Sequence, residues 1–141
     1  MHVRPLVSGD AKAACALYLD LPRSDLVAPV AHFNAVLDHP GTSVAGAFDG
    51  VTLLGMATMH LLPNMTYGGR PYALIENVVT APDHRMRGVG RAVLENLIAR
   101  AWDADAYKIM LLTGQARGAQ GFYRKLGFDD TNKHGMVLRR N

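Results

Sequence analysis

Arg85, Arg87, Gly88 and Gly90 stand at the end of the run I-E-N-V-V-T-A-P-D-H-R-M-R-G-V-G, Ile75 to Gly90, and their types and spacing suit the binding of an anion. A β-branched strand closes at Pro82, a short loop carries the two arginines, and two glycines open a helix. The first N–H groups of a helix have no partner inside it, and the helix dipole adds positive potential at that end. Glycines remove the side chains that would hold a phosphate away from those N–H groups, and arginines add fixed charge beside it. The bland alternative is a strand–loop–helix connection with solvated arginines.

Spacing sorts the phosphate sites that such a loop could form. A P-loop ends in Gly-Lys-Ser/Thr, which the chain lacks, and a dinucleotide fingerprint needs G-x-G-x-x-G/A directly after a strand. Here Val93 takes the third position and several residues separate strand from glycines. The remaining pattern is R-x-x-G-x-G, matched by Arg85, Gly88 and Gly90. A second segment, A-Q-G-F-Y-R-K-L-G-F from Ala119 to Phe128, follows one strand downstream. Together the two segments resemble the GCN5-related N-acetyltransferases, whose pyrophosphate motif and A-x-x-F-Y-x-x-x-G-F signature they match in order. The resemblance covers roughly residues 43 to 140.

That resemblance implies an α/β (α+β) fold: one domain over residues 1–141, with a mixed, mostly antiparallel sheet, splayed central parallel strands and flanking helices. Residues 1–42 would be the variable substrate side and 72–130 the acetyl-CoA-binding core. Acetyl-CoA is the implied co-substrate, its pantetheine arm entering between Tyr72–Thr80 and Tyr107–Thr113. The backbone of Val78 and Thr80 would pair with pantetheine as an added strand, and the N–H of Val78 or Val79 would serve the oxyanion. Val89, Gly90 and Arg91 would lend N–H groups to the pyrophosphate, with charge from Arg85 and Arg87 beside Gly88. Family members often carry an asparagine seven residues before the signature tyrosine; Ala116 stands there, and Gln115 is the substitute.

Acetyl transfer to an amine needs a base for the ammonium proton, a donor for the oxyanion and an acid for the departing thiolate. Glu76 is the only charged residue in Tyr72–Thr80 and is the candidate base, directly or through water; its alternative is a surface or ion-paired carboxylate. Tyr123 is the candidate acid, with packing against pantetheine as its alternative. Cys15 lies in the apolar stretch Ala11–Tyr18 and reads as a core residue, so direct attack in a ternary complex is expected and no acyl-enzyme.

The elements that must position these groups follow from periodicity. Met1–Leu6 reads as an edge strand, Val7–Asp20 as a helix capped by Ser8, and Asp25–Leu37 as a second helix that Pro29 starts or kinks. Ser43–Phe48 and Thr52–Leu62 flank Asp49-Gly50, a hairpin signal. Tyr72–Thr80 is the strand of Glu76, and Arg91–Trp102 a helix with an apolar stripe. Tyr107–Thr113 reads as a buried strand, Ala116–Leu126 as a helix ended by Gly127, and Phe128 and Met136–Arg139 as final strands.

Composition bounds the partners. The 141 residues suit one domain, nearly half of them apolar, with no run near the roughly 20 residues that span a membrane. No signal-peptide core opens the chain, and one cysteine allows no internal disulfide, so a cytoplasmic setting is expected. Residues 1–69 hold three basic and five acidic side chains; residues 70–141 hold twelve and seven. A basic second half suits a polyanionic cofactor. Without a dense Lys/Arg run or a pattern of stacking aromatics, nucleic acid is not an expected partner. The six histidines show no metal spacing, so no metal is expected. Expected partners are acetyl-CoA and a small amine, with homodimerisation through the β-prone C-terminus. The alternatives are a protein or peptide N-acetyltransferase and a non-catalytic acyl-CoA-binding regulatory module.

Overall fold

A computed structural model describes residues 1–22 and 26–140. Its contacts group the chain into two units, Met1–Met110 and Leu111–Asn141.

The first unit is built on a sheet of order β1-β2-β3-β4-β5: β1 (His2–Pro5), β2 (Thr42–Asp49), β3 (Thr52–Leu62), β4 (Tyr72–Thr80) and β5 (Ile109–Leu111). The first four are antiparallel neighbours and β5 runs parallel to β4. The β2–β3 turn is Gly50-Val51, one residue beyond the Asp49-Gly50 pair expected, because Asp49 still pairs with Thr52 and Gly50 takes φ +55°. Tyr107 N–H donates to Pro71 O and Ala73 N–H to Lys108 O, so β5 joins β4 at its beginning. With three residues against nine, β5 is too short to follow β4 as far as Glu76–Thr80. It is also not the buried strand the apolar run suggested: Met110 is exposed and its neighbours half-buried, as befits an edge.

Alternation sends Met56 and Val79 to one face, where α1 (Ala11–Tyr18) and α2 (Phe33–Leu37) cover them with Ala14, Leu17 and Phe33. The opposite residues Ala57, Met59 and Ile75 meet α3 (Val89–Asp103), which buries Val93, Leu94, Leu97 and Ala101. Full burial of a leucine such as Leu94 is worth about 1.5–3 kcal/mol. Met56 and Met59 thus face opposite ways, and both are core.

In the first unit the helix starts differ from those expected. Ser8 does not cap α1; it opens a 3-10 turn, Ser8–Asp10, in which Asp10 accepts the Val7 N–H at 2.8 Å. Arg4 holds that carboxylate with two bonds of 2.7 and 2.8 Å and lies 3.9 Å over the Phe48 ring, tying β1 to the start of α1. Pro29 starts the second helical stretch, one of the two roles expected of it: a 3-10 turn, Val30–His32, leads into α2, and the expected bound at Asp25 lies outside the described residues. Helix α3 starts at Val89, inside the glycine pair, not at Arg91.

The second unit holds a 3-10 turn, Gln115–Arg117, and α4 (Gln120–Arg124). The single helix expected over Ala116–Leu126 is broken at Gly118, φ +62°. Gly127 ends α4 in the left-handed region at φ +93°, where Phe128 N–H bonds Tyr123 O at 3.2 Å. Phe128 and Met136–Arg139 form no strand; Met136, Val137 and Leu138 are exposed and lack a pairing partner among the described residues.

Candidate active site

The strand β4 owes its shape to one irregularity. Thr58 pairs with Glu76 and Met56 with Val79, so Asn77 and Val78 together oppose Ala57. Such a bulge bends a strand and re-aims its side chains. Asn77 absorbs it at φ +55°, a region asparagine enters more readily than most residues. Beyond the bulge, Ala81 N–H bonds Leu54 O, and alternation then turns Thr80 away from β3. The Thr80 carbonyl accepts from Arg85 Nε at 3.3 Å. The far half of β4 therefore presents backbone groups on an edge that β5 does not reach.

Glu76 is half-buried and shares its face with Thr58, Met56 and His60, the face turned to α1 and α2. A cavity of about 370 Å³ opens there. Its polar wall is Cys15, Tyr18, Thr58, His60 and Asn77, and its apolar wall includes Leu26, Phe33 and Val36. Thr58 is 2% exposed. Burial pushes the Tyr18 hydroxyl pKa up, and nearby Thr58 offsets part of that rise. The contact is not a full hydrogen bond, because Thr58 Oγ1 is left without a partner. Tyr18, Thr58 and His60 escape sequence reasoning, although their signal is simple: Thr58 is the residue paired with Glu76, and His60 lies two further along β3.

Gly88, at φ +81°, caps α3, and its carbonyl accepts from Ala92 N–H at 3.0 Å. The N–H groups of Val89, Gly90 and Arg91 thus precede the first intrahelical bond. Gly55 of β3 allows the helix to approach: a Cβ there would lie 2.7 Å from Val89 Cγ1 and 2.9 Å from Val79 O. The Val89 side chain is buried, leaving its backbone for any ligand. Arg85 and Arg87 are exposed; Arg87 Nη1 lies 3.4 Å from His84 Nδ1, and Arg91 pairs with Glu95 at 3.4 Å. Open strand edge, unpaired helix N–H groups and exposed arginines fit an extended ligand with a pyrophosphate.

Within the second unit Tyr123 is half-buried, edge-on to Phe122 and Phe128 with centroids 5.1 and 6.1 Å away. Burial raises its pKa, partly offset by Arg117, so the phenol keeps its proton at neutral pH and can donate. Gln115 is exposed. Among the described residues no cluster of three or more His, Cys, Asp or Glu is placed to hold a metal, and no helix is long and apolar enough to cross a membrane.

A bulged, half-open parallel strand pair beside a glycine-capped helix is the arrangement that the sequence resemblance implies. Residues 11–128 match the acetyltransferase (GNAT) family model, and the chain belongs to that family, whose members use acetyl-CoA as co-substrate. A candidate acetyltransferase structure from Agrobacterium tumefaciens str. C58 superposes with a TM-score of 0.92 at 37% identity, covering 99% of this chain and 100% of that one. A Trypanosoma brucei acetyltransferase at 24% identity shares the fold, with a TM-score of 0.84 over 99% and 98% of the two chains. Glucosamine 6-phosphate N-acetyltransferase of Trypanosoma brucei brucei is 34% identical over 54% of this chain and 50% of its own length. The enzyme of the same name from Schizosaccharomyces pombe is 31% identical over 53% and 66%. The match spans about half to two-thirds of these curated relatives.

Proposed function

We propose that the chain is an acetyl-CoA-dependent N-acetyltransferase that acetylates the primary amine of a small molecule by direct attack in a ternary complex. The observation that carries this reading is Glu76: a half-buried carboxylate beside the bulge of β4, paired across the strands with Thr58 of the cavity wall. Acetyl-CoA supplies an acetyl thioester. Val78 and Thr80 hold its pantetheine arm by backbone groups, with Gln115 in support. Val89, Gly90 and Arg91 receive the pyrophosphate, and Arg85 and Arg87 neutralise it. Glu76 takes the ammonium proton directly or through water, the N–H of Val78 or Val79 steadies the developing oxyanion, and Tyr123 donates to the departing thiolate.

The cavity favours a small acceptor over a peptide, since its described wall is concave and mostly apolar. Among the described residues its polar groups are hydroxyls, an amide, a thiol and an imidazole, beside an apolar wall that suits an amine with an apolar body. A cytoplasmic setting and a homodimer belong to the same reading; light scattering tests the second.

The test pairs calorimetry with a thiol-release assay over an amine library. Wild type should bind acetyl-CoA and free CoA, and bulky replacements at Gly88 and Gly90 should abolish that binding. Glu76→Gln and Tyr123→Phe should each lower kcat by roughly 10²-fold or more while leaving CoA affinity intact. Binding without turnover of any amine would favour a regulatory acyl-CoA-binding module instead.

A further inference from the structure

A line of three side chains leads from the cavity to the surface. His60 stands on the cavity wall, and its Nδ1 lies 2.9 Å from Thr42 Oγ1. The same oxygen lies 2.9 Å from Nδ1 of His39. His60 and Thr42 are half-buried and His39 is exposed. The frame beneath them is held on both sides. Thr42 and His60 are direct partners across β2 and β3. Thr42 N–H bonds His39 O at 3.1 Å, and Leu61 N–H bonds Gly41 O at 2.7 Å. At Gly41, φ is +80° and a Cβ would stand 2.6 Å from Leu61 O, so the turn accepts only glycine.

A threonine hydroxyl has one proton to give and two lone pairs. Placed between two Nδ1 atoms, Thr42 can donate to one ring only, and the other ring must then donate its Nδ1–H to Thr42. With both rings neutral, the two histidines are set in opposite tautomers, the arrangement that passes a proton along a line. The geometry points to His60, Thr42 and His39 as the route by which the acceptor's amine proton leaves the cavity for solvent, a role that rests on the acetyltransferase reading above.

Glu76 pairs with Thr58, and His60 lies diagonally across from it on the same face, at a spacing of about 7–8 Å between Cα atoms. Among the described residues, the other titratable groups on that wall are Tyr18 and Cys15 from α1. The transfer balances as follows. The proton taken by Glu76 passes to His60 Nε2, and His60 gives its Nδ1–H to Thr42 Oγ1. Thr42 gives its own proton to His39 Nδ1, and His39 releases its Nε2–H to water. One proton enters and one leaves, no group keeps a charge, and exchange with water resets the two tautomers.

Two measurements on the full chain test this. Long-range ¹⁵N–¹H correlation should find His60 protonated at Nδ1 and His39 at Nε2, and Thr42→Val should abolish the difference. A His60 ring without a proton at Nδ1 would break the line and overturn it. In turnover, His60→Gln, Thr42→Val and His39→Ala should each lower kcat about tenfold without changing the KM for acetyl-CoA. The double variant His60→Gln/Thr42→Val should be no slower than either single one, Thr42→Ser should keep the wild-type rate, and added imidazole should restore His39→Ala. Turnover indifferent to all three substitutions overturns the route alone. A wild type that binds acetyl-CoA but acetylates no amine overturns the acetyltransferase reading and the route with it.

Discussion

Thr58 carries its hydroxyl into the cavity wall at 2% exposure and without a hydrogen-bond partner. An unpaired buried hydroxyl costs about 1–3 kcal/mol, whereas an apolar group of the same shape does not. Thr58→Val should therefore stabilise the protein by about 1 kcal/mol, seen as a higher melting temperature, while raising the KM for the acceptor. A destabilised variant would mean that the hydroxyl is already bonded, most directly to Tyr18. Residues of this kind are hard to find in a sequence. The loop bearing Arg85, Gly88 and Gly90 announces itself because its glycines and charges are locally unusual. Thr58, Tyr18 and His60 are ordinary residues on ordinary elements; cross-strand pairing puts Thr58 and His60 on the face of Glu76, and α1 brings Tyr18 to the same cavity. The bulge at Asn77 is equally silent, since its cause is a two-against-one register set by β3.

Elements proved legible in proportion to how much of their reason is local. The alternating runs of β3 and β4 have the expected bounds, Thr52–Leu62 and Tyr72–Thr80. The stripe of α3 is also as read, with Val93, Leu94, Leu97 and Ala101 buried. The second and fourth helices are shorter than their apolar spacing suggested, because Pro29 fixes the start of one region and Gly118 turns left-handed in the other. The apolar Met136–Arg139 forms no strand, since a strand needs a neighbour that propensity does not supply. The seam between β3 and α3 makes the element-scale prediction. Gly55→Ala would press a methyl against Val89 and the Val79 carbonyl. It should cost roughly 1–3 kcal/mol in urea melts and weaken acetyl-CoA binding by displacing the start of α3. Gly88→Ala meets nothing within 4 Å, so its cost of about 1–2 kcal/mol should be backbone strain alone.

For the molecule as a whole, charge is the accessible variable. Hydrogen bonds from Arg4, helped by the Val7 N–H, hold the Asp10 carboxyl below the usual range despite partial burial. Because its folded pKa is the lower one, the stabilisation is complete above the ordinary value of about 4 and is lost as pH falls through the folded value. The gap in melting temperature between wild type and Asp10→Asn should hold steady from pH 8 to 5 and shrink below pH 4. The twelve basic side chains of residues 70–141 make a second prediction: CoA affinity should fall several-fold as salt rises from low to high ionic strength, and less steeply in Arg85→Ala/Arg87→Ala. That charge bias was legible from composition, whereas the Arg4–Asp10 pair depended on where β1 and α1 meet. The chain's single thiol, Cys15, stands on the cavity wall with Thr58 and Asn77. Fragments bearing a disulfide can be captured there without engineering a handle or masking competing cysteines. The fragments retained at equilibrium, read by intact mass, would outline the acceptor before any substrate is known.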